Sequence, residues 1–166
     1  MTAARQAGRV LGVPGALLVI AGGVLLVVAF GLLDWYDAPR TADAAPKITF
    51  GELHGSADQL GGAAAATAYF DWLAWVLLIA LVGIGMGANL PVRPADALRV
   101  AGFALGAIGV AATYFAIVQL HNAQVAAGGG HHGAFHNATW GVWLTFTGFT
   151  LGALGAALGP RRAVRE

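Results

Sequence analysis

Apolar positions fall into four runs, Leu11 to Leu33, Phe70 to Leu90, Leu98 to Leu120 and Ala138 to Leu158, separated by segments in which polar and charged residues cluster. Each run is close to the roughly 20 residues that a helix rising about 1.5 Å per residue needs to cross about 30 Å of hydrocarbon. None carries a charged residue near its middle. The pattern predicts an all-α integral membrane protein: a single membrane domain over residues 1–166, built as a four-transmembrane-helix bundle with a long first outer loop.

Within the runs, small residues recur with a helical period. In the fourth, Gly141, Thr145, Gly148, Gly152, Gly155 and Gly159 follow alternating steps of four and three, and the third repeats this with Gly102, Gly106, Gly109 and Thr113. Ala80, Gly83 and Gly87 mark the second run, and Gly15, Gly22 and Ala29 the first, more loosely. In lipid no hydrophobic force drives helices together, so close approach over small residues has to hold a bundle, and these stripes are the expected packing seams. The mean step of about 3.5 residues predicts left-handed crossings near +20°. The pattern leaves open whether the stripes meet one another or a partner.

Polar signals mark the helix ends. Asn137 is placed to N-cap the fourth span and Gly159-Pro160 to stop it. Pro94 suits the first turn of the third helix, with Asp96 at its positive end. Asn89-Leu90-Pro91 closes the second, so the second and third spans form an antiparallel pair.

Composition excludes a soluble domain, since 58% of the residues are hydrophobic and only 10% charged. Arg5, Arg9, Arg93, Arg99, Arg161, Arg162 and Arg165 all fall on one side of the four-span plan, which the positive-inside rule makes cytoplasmic. Both termini are then cytoplasmic, and the segments 34–69 and 121–137 are extracytoplasmic. Trp35, Trp72, Trp75, Trp140 and Trp143 lie at the extracytoplasmic ends, where indole rings favour the headgroup layer. Small-x-small at Ala42-Asp43-Ala44 resembles a signal-peptide cleavage site, but the first run is too long and the site too distant, so the helix reads as uncleaved. Arginine over lysine, with much alanine and glycine, suggests a bacterial plasma membrane.

The first outer segment is longer than a connector needs. Lys47 to Phe50 reads as a short extended piece, and Ala63 to Phe70 as helix leading into the second span; Trp35, Tyr36 and Phe50 are candidates for a small cap over the bundle. A gapped likeness links the two outer segments: Leu53-His54 precedes Trp72-x-x-Trp75, and Leu120-His121 precedes Trp140-x-x-Trp143. It raises the expectation of two pseudo-repeated helical hairpins, with His54 and His121 equivalent.

Candidate chemistry is confined to histidine. His54, His121, His131, His132 and His136 all lie on the extracytoplasmic side. Imidazole binds transition metals and haem iron, and His132 and His136 share a face if the fourth helix begins early, with His121 completing the set and Asp71 or Glu52 adding an oxygen. The spacing matches no motif with a mechanism attached, and imidazole also titrates near pH 6.5, which allows a pH-sensing role. There is no cysteine for disulfide, thiolate or thiol chemistry. Phosphate-binding loops, nucleophile motifs and intramembrane carboxylates are missing, and basic residues are too few and scattered for nucleic acid. The expectation is a non-enzymatic accessory or assembly subunit, in contact with lipid and with other membrane-protein subunits or copies of itself. The alternative is an extracytoplasmic metal- or haem-binding membrane protein.

Overall fold

The structure, a computed structural model, describes residues 12–37, 47–61, 63–90, 95–129 and 132–159. Among these residues five helices form: α1 (Val13–Gly31), α2 (Phe50–Leu60), α3 (Ala64–Asn89), α4 (Ala95–Ala126) and α5 (Trp140–Leu158). All but α2 are long and apolar enough to cross a membrane, as an all-α membrane bundle requires. Pro91 and Pro94, the arginines other than Arg99, His131 and Pro160 lie outside the described residues.

The four long helices pack as a ring, α1 beside α3, α3 beside α4, α4 beside α5 and α5 beside α1, with α5 also touching α3 across the middle. Glycine decides this arrangement. A Cβ on Gly22 would stand 2.5 Å from the Gly148 carbonyl oxygen and 2.8 Å from the Gly152 nitrogen; one on Gly155 would stand 2.6 Å from the Gly15 carbonyl oxygen. α1 and α5 therefore meet backbone to backbone. On the α4 side, Gly106 receives Ala153, Gly102 receives Ala156, and the Phe149 ring fills the place of a side chain on Gly109. Gly141 leaves room for Trp35, and Gly152 for Leu81. The stripes on α4 and α5 thus close this bundle on itself, and the α1 set Gly15, Gly22 and Ala29 is buried with them.

One end of the bundle carries a cap. β1 (Asp34–Asp37) pairs antiparallel with β2 (Lys47–Thr49), matching the extended piece expected there. Tyr36 faces Ile48 while Asp34 faces Thr49, so Trp35 is the extra residue of a bulge. The bulge turns its indole inward, where Nε1–H donates to the Ala29 carbonyl at 2.8 Å, one of the orphan acceptors of the α1 C-terminus. Around it Phe30 and Phe50 stack at 4.6 Å and Phe70 meets the indole edge-on at 5.7 Å. This is the cap expected from Trp35, Tyr36 and Phe50, and it corrects one reading: Trp35 is fully buried and no part of an interfacial belt, whereas Trp72, Trp75, Trp140 and Trp143 are exposed.

The other edge of β1 binds the second connecting segment. Tyr36 bridges Ala138, Asp37 N–H donates to the Asn137 carbonyl at 3.1 Å, and Thr139 N–H to the Trp35 carbonyl at 3.0 Å. The N-cap position of α5 is accordingly Thr139 rather than Asn137, and its hydroxyl donates to the Asp34 carbonyl. Among the described residues the two outer segments differ in form, a strand pair with a helix in one and a helix end followed by a turn in the other.

Two further departures concern the length of α4 and a turn within α3. α4 continues past Leu120 to Ala126, because Asn122 and Gln124 are polar without breaking a helix, and stops at Gly128, whose φ is +86°. Gly129 N–H reaches the Gln124 carbonyl and Gly128 N–H the Val125 carbonyl, the two bonds of a Schellman ending. At 32 residues α4 runs well beyond the hydrocarbon thickness. α3 contains a π-helical turn, Tyr69–Leu73, that the sequence did not announce, although its start at Ala64 matches the helix expected to lead into the second span. The extra residue of that turn buries Tyr69 and Phe70 side by side, Phe70 toward the cap and Tyr69 toward α4. Ala66 N–H, an orphan donor of the first turn of α3, is satisfied by Gln119 Oε1 at 2.8 Å.

Candidate functional site

Where the cap rests on the protruding end of α4 it leaves a pocket of about 150 Å³. Its floor is apolar: Leu53 from α2 and Ile117 and Leu120 from α4 are buried, and Ile48 of β2 forms one wall. Its rim is polar, with Tyr36 and Asp37 from β1, Ser56 from α2, His121 and Gln124 from α4, and Asn137 from the turn before α5. Four separate segments supply these groups, and the β1–β2 pairing and the bridge to Ala138 bring them together.

Hydrogen bonding fixes which face each polar group presents. Tyr36 O–H donates to the Ala134 carbonyl at 3.3 Å, and Ser56 O–H to the Glu52 carbonyl at 3.1 Å. Each hydroxyl has spent its only proton and offers acceptor lone pairs. Burial pushes the Tyr36 phenol up, so it keeps that proton. Lys47, the nearest described cation, is held at 3.0 Å by Asp34, which raises the ammonium from its ordinary value mainly through that hydrogen bond. Glu52 is engaged elsewhere: it accepts from Thr49 N–H at 2.8 Å and from the Thr49 hydroxyl at 2.9 Å, closing a capping box on α2. The two bonds hold its carboxyl below the usual range.

The histidines are dispersed. His121 is half-buried on the helical extension of α4 and lines the pocket. His132 and His136 precede α5 rather than sharing its first turn, and stack at 4.4 Å in an exposed turn held by the bond from His136 N–H to the Gly133 carbonyl. His54 sits on α2, with its Nδ1 buried and without a hydrogen-bond partner. Among the described residues no three His, Asp or Glu side chains come together as a metal would need. Of the two suggested oxygen donors, Glu52 belongs to the capping box and Asp71 lies by Asp58, Thr67 and Trp72 on another face of the cap.

Reading residue types along the chain finds His121 but not its neighbours. Tyr36, Asp37, Ser56, Gln124 and Asn137 share no motif, and only the cap brings them to one rim.

A second concavity lies between α1 and α3, an apolar groove of about 590 Å³ lined by Val24, Val27, Ile79, Val82 and Gly83 among others. Here the α3 stripe behaves unlike the others. Gly83 is exposed, and a Cβ built on it meets nothing within 4 Å. No protein-family model, curated protein or solved structure matches the chain.

Proposed function

We propose that this protein is a non-enzymatic accessory or assembly subunit of a larger complex in a bacterial plasma membrane, oriented with its cap extracytoplasmic and both termini cytoplasmic. The orientation rests on the distribution of arginine. The observation that carries the subunit reading is Gly83. Glycines at 15, 22, 102, 106, 109, 141, 148, 152 and 155 are filled by neighbours within the chain, whereas Gly83 opens into an apolar groove on the outside of the bundle. A bare backbone beside such a groove is the close-approach surface that a partner's transmembrane helix uses.

The chain lacks cysteine, so Gly83→Cys introduces a single thiol at this groove. Thiol cross-linking in native membranes is expected to give one defined adduct with another membrane protein. Phe103→Cys, on an exposed face of α4, is expected to give none. Adducts of equal yield from both sites, or a bare monomer with every linker, would end this reading. An adduct of two copies of the chain would replace it with self-association.

A further inference from the structure

We propose that the pocket beneath the cap is a binding site for a small organic cation, an ammonium group on a short hydrocarbon or single-ring stem. Size comes first: about 150 Å³ is the scale of cavity that accepts one benzene ring, well below that of a drug-sized ligand site. Its floor of Leu53, Ile117 and Leu120 is 1–3% exposed and presents only hydrocarbon, which suits an apolar stem.

The rim selects the head. Tyr36 and Ser56 have given their protons to backbone carbonyls and can only accept. Asp37 is exposed at the rim and faces Lys47 across the strand pair, but the Lys47 ammonium bonds to Asp34, and among the described residues the Asp37 carboxylate makes no ion pair within 4 Å and no side-chain hydrogen bond. His121, Gln124 and Asn137 complete the rim with groups that can accept or donate, and among the described residues no lysine or arginine lines the pocket. Two hydroxyls fixed as acceptors and one carboxylate above an apolar floor favour a donor-rich cation over a carboxylate.

The test uses the full chain in neutral maltoside micelles with benzylamine, benzyl alcohol and benzoate as probes, followed by ligand-observed NMR and calorimetry. Benzylamine is expected to bind about fivefold or more tighter than benzyl alcohol, and benzoate not at all. Asp37→Asn brings amine and alcohol level. Ser56→Leu, at a half-buried position, fills the pocket and abolishes binding of both, with thermal melting showing that each variant remains folded. Equal binding of the three probes, amine binding that survives both substitutions, or no amine binding would overturn the proposal. So would stoichiometric zinc binding that needs Asp37 and His121 and excludes benzylamine. Adding phosphatidylethanolamine to the micelles weakens benzylamine binding if the natural ammonium is a lipid headgroup and leaves it unchanged if it is a free amine; either result supports an ammonium ligand.

Discussion

The side-chain amide of Asn89, at the C-terminus of α3, donates to the carbonyl oxygen of Gly155 on α5 at 3.1 Å, and also to its own helix at Gly85, 2.8 Å away. Asn89 is 1% exposed, and its backbone carbonyl accepts from Gly12 N–H at 3.1 Å. Its Oδ1 is seated against the backbones of Gly12 and Gly15, where Cα–H groups are the available contacts. One residue thus ties three helices together at the end of the bundle opposite the cap. Gly12, just before α1, and Gly15 within it are both needed, because a side chain at either would collide with the carboxamide.

Asn89→Leu keeps the branched outline of the side chain, at a somewhat larger volume, and removes both side-chain hydrogen bonds. In an apolar bundle the Gly155 carbonyl, an orphan acceptor in the last turn of α5, loses its partner, and a cost of about 1–3 kcal/mol is expected. The measurement is unfolding in mixed micelles followed by circular dichroism. A variant as stable as the parent would mean that the glycine contacts alone hold this end.

Glycines on the two kinds of surface should respond oppositely. At Gly106 an added methyl would stand 2.5 Å from the Ala153 Cβ and 2.8 Å from the Phe149 carbonyl oxygen, a backbone atom that cannot step aside. Gly106→Ala should therefore destabilise the bundle by about 1–3 kcal/mol. A Cβ at Gly83 meets nothing within 4 Å, so Gly83→Leu should leave the isolated protein within about 0.5 kcal/mol of the parent while blocking partner assembly. The comparison needs only melting curves and co-purification of the two variants.

The spans and the seams were legible in the sequence because both are written as local periodicity: apolar runs of membrane length, and small residues every three or four positions. That Gly148 and Gly152 meet α1 and α3 while Gly83 meets nothing was not legible, since periodicity marks a face and not what lies opposite it. The cap was half legible. Lys47 to Thr49 reads as extended, but the burial of Trp35 depends on a bulge and on a bridge from Tyr36 to Ala138, a hundred residues away. The histidines show the same limit. Sequence places four of them in one loop, yet α4 continues through His121, and His132 and His136 fall in a separate turn, so neighbours in the chain are not a ligand set in space.

Tyr69 and Thr113 form a hydrogen-bond relay between α3 and α4. The Thr113 hydroxyl donates to the Gly109 carbonyl at 2.7 Å, so the Tyr69 phenol, 2.6 Å from Thr113 Oγ1, is the donor of that pair. A double-mutant cycle of Tyr69→Phe and Thr113→Val should report a coupling of about 0.5–1.5 kcal/mol, the range of interhelical side-chain bonds in membrane proteins. Coupling near zero would mean that the packing of the π-helical turn, rather than this bond, joins the two helices.

Acid should loosen α2 through Glu52. Its folded-state carboxyl lies below the ordinary value of 4.5 because Thr49 N–H and the Thr49 hydroxyl stabilise the charged form. A depressed carboxyl contributes stability that is complete above the unfolded value and is lost as pH falls through the folded one. Hydrogen exchange at the α2 amides should therefore be constant above about pH 5 and, after correction for intrinsic rates, accelerate as pH drops below about 4.5. Glu52→Gln keeps an acceptor for Thr49 without the titration, so α2 should persist and its protection should become flat across this range. If the parent protein shows the flat profile as well, the capping box does not hold α2 in place, and the packing of Phe50 and Leu53 under the cap does so instead.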